Sequence, residues 1–428
     1  MRPITLGALP SALMALAVGL SMLAVASARA QDADYQSFFT GICAGGNAGA
    51  NLATLCAVTP GGGGNISGDS ENSLNPAQAL TSANHALSRA KAQTDKSQAR
   101  AEELRQEAHG GPATGLVSGS EGGMAWGGFS LLFNARGERF ERDRDAGNEE
   151  LGYDGDSGTL EVGLDYRISD RLVVGGLLGY QRTESDFDAD APGNNFTPTG
   201  DQGGTDVDSL SLTLFGSYNV TDALYVEGTL GAGLSDYEFR RNAIFQESTR
   251  TVAQTTMRAR GDSEGHEYSA SAGVGYDFYR DAWSFGPYLK LNYVHSTVDG
   301  YTETDSANTG LAMRVGDNDR TSLTSVVGVQ GSYAISTGFG VVVPQARIEY
   351  EHEFDNDPSS VTQTFVQDSA GTPLTLRGDS PDRNYFNVGA SVVLILPNGW
   401  IPFIDFEALA GYEDLQRRRL TAGLRVEF

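Results

Sequence analysis

From residue 122 onward, apolar and polar side chains alternate with a period of two, the spacing of strands that have one apolar and one polar face. Leu160, Val162, Leu164, Tyr166 and Ile168 alternate with Thr159, Glu161, Gly163, Asp165 and Arg167. The final stretch sets Leu420, Ala422, Leu424, Val426 and Phe428 against Thr421, Gly423, Arg425 and Glu427. The pattern predicts twelve strands, over 124–140, 158–168, 172–185, 206–220, 223–240, 266–279, 283–298, 321–336, 340–355, 383–396, 400–413 and 418–428. Tight turns at 169–171, 221–222, 280–282, 336–338 and 397–399 alternate with long acidic, glycine-rich loops at 141–157, 186–205, 241–265, 299–320 and 356–382. This predicts an all-β membrane protein, a twelve-stranded antiparallel transmembrane β-barrel with its short turns on the periplasmic side. Closure follows from bilayer physics, because an open edge leaves backbone groups unpaired in hydrocarbon. A soluble sandwich or propeller also alternates, but it does not confine long loops to every second connection. Tyr166, Tyr180, Tyr218, Tyr276, Tyr333 and Tyr350 fall on the apolar register near strand ends, where interfacial girdles sit.

The first hundred or so residues follow different patterns. Arg2 precedes an apolar stretch over 6–25, and Ala28-Arg29-Ala30 offers a small-x-small cleavage site, so 1–30 reads as a secretory signal peptide. Gly19 and Ser21 interrupt the run, which falls short of the about 20 apolar residues of a spanning anchor. Residues 31–72 are small and polar, with Cys43, Cys56, four acids, no Lys or Arg, and the glycine run 61–64. So short a segment cannot build a sizeable core, and it reads as a disulfide-containing passenger or surface segment on a flexible glycine tether. Asn75-Pro76 and Gly110-Gly111-Pro112 bracket one long helix over 76–108, within a linker at 73–117. Its large apolar residues are few, Leu80, Leu87 and Leu104, so it has no apolar stripe to pack. Such a helix needs water or polar walls, which places it in the pore or leaves it a solvated spacer. Residues 118–428 form the barrel.

Composition removes other classes. A formal charge of -25 and a pI near 4.5 argue against nucleic acid, which requires clustered Lys and Arg. An acidic surface suits a cell exterior. In an oxidising compartment Cys43 and Cys56 are expected to pair, contributing roughly 3 kcal/mol in the chain-entropy picture; neither has a partner at metal-ligand spacing. The inward register supplies Glu161, Asp165, Arg167, Glu227, Lys290, Arg347, Glu349, Asp405, Glu407 and Arg425 as lumen-lining candidates. The helix offers Arg89, Lys91, Lys96, Arg100 and Arg105 as partners for the wall acids.

Catalytic motifs do not hold up. Gly155-Asp156-Ser157-Gly158 copies part of a serine-protease motif, but it is followed by Thr159 and lies between strands. Gly68-Asp69-Ser70 is similar to an esterase block, without a folded domain or an Asp-x-x-His downstream. Asp186-x-Asp188-x-Asp190 opens like a calcium loop, but Ala191 and Thr197 stand where an EF-hand needs glycine and glutamate. Weak divalent-cation binding by the acidic loops is left open. His266, His295 and His352 fit neither an outer-membrane phospholipase nor an omptin protease, and His295 and Ser296, adjacent in one strand, point to opposite faces. The chain is expected not to be an enzyme and to carry no cofactor or metal.

Taken together, the signal peptide, N-terminal segment, polar helix and twelve-strand barrel ending in Phe428 resemble the autotransporter family, whose barrel is the translocator of type V secretion. The resemblance covers roughly 73–428. Its most specific element is Leu420-x-Ala422-x-Leu424-x-Val426-x-Phe428, similar to the signal by which outer-membrane proteins are recognised for insertion; the family often has an aromatic where Val426 stands. The resemblance implies a helix within the pore that joins the barrel to an exported passenger. Passengers of that family are typically hundreds of residues of β-helix, whereas only 31–72 are available here. The function expected is a translocator that anchors and exports its own very short N-terminal segment. The alternatives are a helix-plugged structural or pore protein and, further off, a barrel enzyme. The expected setting is the outer membrane of a Gram-negative bacterium, as a monomeric barrel. Its expected partners are outer-membrane lipid and lipopolysaccharide, the barrel-assembly machinery and periplasmic chaperones.

Overall fold

The computed structural model describes residues 28–82, 87–92, 129–143, 150–355, 357–397 and 399–427. The signal-peptide reading through residue 27, the helix beyond residue 92 and Phe428 lie outside the described residues. Twelve antiparallel strands close into one barrel: β1 Phe129–Arg142, β2 Tyr153–Ser169, β3 Leu172–Phe187, β4 Gly203–Asn219, β5 Leu224–Phe245, β6 Thr255–Tyr276, β7 Trp283–Val298, β8 Asn318–Tyr333, β9 Gly340–Glu353, β10 Asn384–Ile395, β11 Trp400–Ala410 and β12 Leu415–Glu427. Each pairs with its neighbour in sequence. Closure comes from β1 against β12, in a register running from Ser130 opposite Glu427 to Arg142 opposite Leu415.

The faces are inverted relative to a soluble protein. Leu160 is 63 % exposed and Leu230 64 %, while Glu161 and Asp165, on the opposite face of β2, are each 3 % exposed. Apolar side chains thus point to lipid and polar ones to the lumen, which excludes a soluble sandwich. Among the described residues no helix is long and apolar enough to cross a membrane; the strands cross it. All six girdle tyrosines are exposed on the outer face. Inside, rings lie flat on glycines of neighbouring strands: a Cβ at Gly328 would come 2.2 Å from the Tyr288 ring, and one at Gly275 would come 2.1 Å from the Tyr225 hydroxyl.

The structure departs from the sequence expectation on the long-loop side. β5 and β6 continue well past the expected ends, because Ala243, Ile244, Phe245, Met257 and Ala259 are buried there. The loops expected at 299–320 and 356–382 contain short strands, Tyr301–Thr302, Thr304–Asp305, Met313–Val315, Ser360–Phe365 and Leu374–Arg377. Four of these form a small sheet, and Thr304–Asp305 joins β6. On it sit three helices of the N-terminal segment, α1 Ala28–Gly45, α2 Ala50–Val58 and α3 Gly68–Leu74. Tyr35, Phe38, Phe39, Ile42, Leu52 and Leu74 share one buried core with Leu311, Met313, Val315, Val361, Phe365 and Leu376.

The reading of 31–72 as a tethered nub without a core is therefore corrected: the segment borrows the loops' apolar faces. The glycine run is not a loose tether either. Pro60–Gly62 is a 3-10 turn, and Gly64, at φ +76°, packs so that a Cβ would meet Cys43 Sγ at 3.0 Å. Cys43 and Cys56 form a disulfide with Cα atoms 5.4 Å apart, tying α1 to α2. Asn75 does not open the long helix; it closes α3, its N–H donating to the Glu71 carbonyl. Helical turns follow at 78–82 and 87–92.

Candidate functional site

The candidate site is the lumen, its occupant and the cap above it. Wall charges alternate with the strand period, so they project inward from several strands at once. Arg347 on β9 donates to Asp405 and Glu407 on β11, at 2.7 Å each. Arg419 on β12 pairs with Glu407 at 3.0 Å and with Glu138 on β1. Lys290 pairs with Glu349 at 3.4 Å, and Arg136 approaches Glu161 at 4.0 Å. Asp165 accepts from the Ser130 hydroxyl at 2.8 Å. Glu227 and Arg425 are buried and Arg167 is half-buried on the same inward register. The ten lumen candidates thus share the inner face, and much of their charge is neutralised within the wall.

The helical turns meet that wall on all sides. Arg89 donates to Ser235 and Tyr237 on β5, at 3.0 Å each, and to Glu267 on β6 at 3.3 Å. Lys91 donates to Glu351 and Glu353 on β9, at 3.2 and 3.3 Å, and to the Tyr385 hydroxyl on β10 at 3.1 Å. Arg417 of β12 donates to Ser88 at 3.1 Å, and Arg136 of β1 to the Ala92 carbonyl at 3.4 Å. Contacts with β1, β5, β6, β9, β10 and β12 place 87–92 inside the barrel. The acids that receive Arg89 and Lys91 were not among the lumen candidates. Parity was the missed signal: Glu351 and Glu353 follow Glu349 at two-residue spacing, and Glu267 shares the inward face of β6. Lys96, Arg100 and Arg105 lie outside the described residues.

Above the lumen, backbone and side chains fasten the cap. Ile66 forms an antiparallel bridge with Glu247, and Ala48 one with Asp368. Gly49 has no side chain to cap α2, and Gln367 Oε1 fills that role by accepting from the amides of Asn51 and Leu52, each at 3.1 Å. Arg241 makes a bidentate pair with Glu303, 2.7 Å for each bond, and also donates to the carbonyls of Leu311 and Leu74. All of this is buried, so the C-terminal end of α3 is tied to the loops by charge-assisted bonds.

The rejected motifs have structural roles. The Ser70 hydroxyl is fully buried, donating to the Ile244 carbonyl and accepting from the Gln246 amide. Asp69 pairs with Arg250 at 2.5 Å. Asp186 turns to Arg240 and Asp190 to Gln202, so the acidic triplet diverges; among the described residues no carboxylate, His or Cys cluster converges on a metal position. His266 lies beside Tyr268, His295 beside Thr321 and His352 beside Asn384, all away from the lumen.

A closed twelve-strand barrel with apolar outer and polar inner faces, threaded by a helix from a cap on its long-loop side, is an outer-membrane translocator of the autotransporter type. The family model for the autotransporter beta-domain matches residues 132–407, and the chain belongs to that family. The fold is similar to the translocator domain of the autotransporter NalP from Neisseria meningitidis (TM-score 0.55, 15 % identity, covering 82 % of this chain and all of that one). Among curated proteins, the chain is 27 % identical over 230 residues to a Pseudomonas putida protein described only as uncharacterized, from the trpE-trpG intergenic region (53 % of this chain, 35 % of the relative). It is 25 % identical over 242 residues to esterase EstA of Pseudomonas aeruginosa (56 % of this chain, 34 % of the relative). The chain thus spans about a third of the length of these relatives. It is an outer-membrane protein of a Gram-negative bacterium.

Proposed function

We propose that the barrel exports its own N-terminal segment, about residues 31–72, and keeps it at the cell surface as a cap anchored by the helix in the lumen. One topological observation carries this reading. Ile66 meets the β5–β6 loop on the long-loop side, 87–92 stand in the lumen, and Phe129 opens β1 on the short-turn side, opposite Tyr166. A chain so placed passes from one mouth to the other. The exported piece and the plug are then one continuous element, with Arg89 fixing it to β5 and β6 and Lys91 to β9 and β10. Lys96, Arg100 and Arg105 are proposed to extend that pairing to the remaining wall acids. Assembly as a monomer by periplasmic chaperones and the barrel-assembly machinery belongs to the same proposal.

No enzymatic role is proposed for this cap. The Ser70 hydroxyl is fully engaged by backbone, and the esterase name belongs to a relative of which only a third is aligned. The test is an epitope inserted after Gly46, in the exposed turn between α1 and α2, probed on intact cells. Antibody labelling without permeabilisation is expected. Labelling only after the outer membrane is breached would leave a plugged barrel that exports nothing.

A further inference from the structure

We propose that Arg139 and Arg418 form a phosphate-binding site for lipopolysaccharide on the outer surface of the barrel, straddling the closure between its first and last strands. The two residues are directly opposite each other in the β1–β12 register, and both side chains are exposed on the lipid-facing side. Directly opposed Cβ atoms lie about 5 Å apart, and like charges so placed repel. Among the described residues neither arginine makes an ion pair, whereas Arg142, Arg347 and Arg419 on the same or nearby strands do. The nearest outward carboxylates are Asp156, opposite Arg139 on β2, and Glu141, two residues further along β1; neither pairs with them. An anion bridging the guanidinium groups converts the repulsion into two charge-assisted contacts, and the planar fork of arginine matches phosphate oxygens bidentately.

The height and floor of the site select the ligand. Reading outward from the short-turn side, β1 presents Leu131, Phe133, Ala135 and Gly137, and β12 presents Val426, Leu424, Ala422 and Leu420. Arg139 and Arg418 are the first charged positions above that band. Continuing from Arg418 across Ala408 to β10, the position opposite is Val388, and the next outward one toward the long loops is Phe386, itself opposite Tyr350 of the upper girdle. This is the headgroup level of the outer leaflet. Below the arginines the wall is shallow: Cβ atoms added at Gly137 and Gly158 would meet nothing within 4 Å, and Ala135 and Ala422 follow. Leu160 stands up on one side and Leu420 and Phe406 on the other, with Phe133 at the foot of the strip, each exposed by 44 % or more. A strip of small residues running down from Arg139, with Leu420 as one wall, accommodates an acyl chain beneath a phosphorylated headgroup. Lipid A, a phosphorylated and acylated lipid of the outer leaflet, offers both.

The full-length chain, folded in detergent micelles, is titrated with diphosphoryl lipid A, dephosphorylated lipid A, phosphatidylglycerol and inorganic phosphate. The temperature at which the compact gel band converts to the unfolded one is read for each. Diphosphoryl lipid A is expected to raise that temperature, and the other three are not. In R139Q/R418Q the half-maximal lipid A concentration is expected to rise about tenfold or more, the loss of charge-assisted contacts. R182Q, on β3 where Arg182 already pairs with Glu184 and Asp208, is expected to respond as wild type. An unchanged response of the double variant overturns the site. Equal effects of dephosphorylated lipid A, phosphatidylglycerol or free phosphate overturn the assignment of its ligand. If the double variant does not fold, R418Q alone carries the test: a wild-type response from it overturns the site, and a severalfold weakening supports it.

Discussion

At the scale of single residues, the cap depends on a few buried charged groups. Arg241 and Glu303 bond each other twice, and Glu303 also accepts from the Met313 amide at 2.8 Å. Neutralising one partner leaves the other charged and buried, at a cost of about 3–5 kcal/mol. Glu303→Gln is therefore expected to loosen the cap without unfolding the barrel. Faster proteolysis within residues 45–64, with unchanged heat-modifiable mobility, is the readout. Glu247 gives a pH dependence. Burial opposes its charge, but the Thr249 hydroxyl and the amides of Val252, Thr251 and Thr249 outweigh this and hold its carboxyl down to about 2. An unfolded glutamate titrates near 4.3. A lowered folded value means that the stabilisation is complete above about pH 4.3 and disappears as pH falls from there toward 2. Hydrogen exchange at residues 247–252 is expected to accelerate across that window, whereas Glu247→Gln abolishes the dependence.

At the scale of elements, the plug is held by side chains rather than by an apolar stripe. Arg89 and Lys91, two positions apart, project to β6 and β9, which fixes the rotation of the helix as well as its depth. Their pairs are largely buried, so removing either cation leaves a buried carboxylate without its partner, which costs more than losing a solvent-screened pair of about 1 kcal/mol. Deleting residues 74–109 is expected to leave a barrel that inserts, conducts more ions in planar bilayers and converts at lower temperature. R89A/K91A is expected to raise conductance partway. Unchanged conductance in both would show that the helix does not obstruct the pore. The same pairs explain a limit of sequence reading: alternation puts Glu349, Glu351 and Glu353 alike on the inner face of β9, but only the depth at which the helix sits in the lumen decides that Lys91 meets Glu351 and Glu353.

At the scale of the whole molecule, closure governs assembly. β12 carries its apolar register from Leu420 through Val426, and β1 answers it residue for residue with Gly137 through Leu131. Phe428 continues that register in sequence, so removing it is expected to lower the amount of barrel reaching the outer membrane. The compact gel band at low temperature measures this, and an undiminished band would make the terminal aromatic incidental. A closed barrel has no free edge to offer another strand. The cap, by contrast, is fastened by isolated bridges: the backbone of residues 65–67 bonds to 246–248 and that of 47–49 to 367–369, just past the ends of β5 and of the loop strand Ser360–Phe365.

The barrel was legible because its determinant is local. A period of two, repeated twelve times and punctuated by turns of alternating length, specifies which face meets lipid and how the strands connect; the bilayer then requires closure. The cap was only half legible, because Val361, Gln363 and Phe365, and likewise Leu374 and Leu376, carry the strand period within segments whose glycine and acid content reads as solvated loop. What tertiary structure alone decided is the destination of that apolar face. Neither the 31–72 segment nor the loops has enough apolar area to fold by itself, and only their meeting above the lumen, more than two hundred residues apart in sequence, removes both surfaces from water.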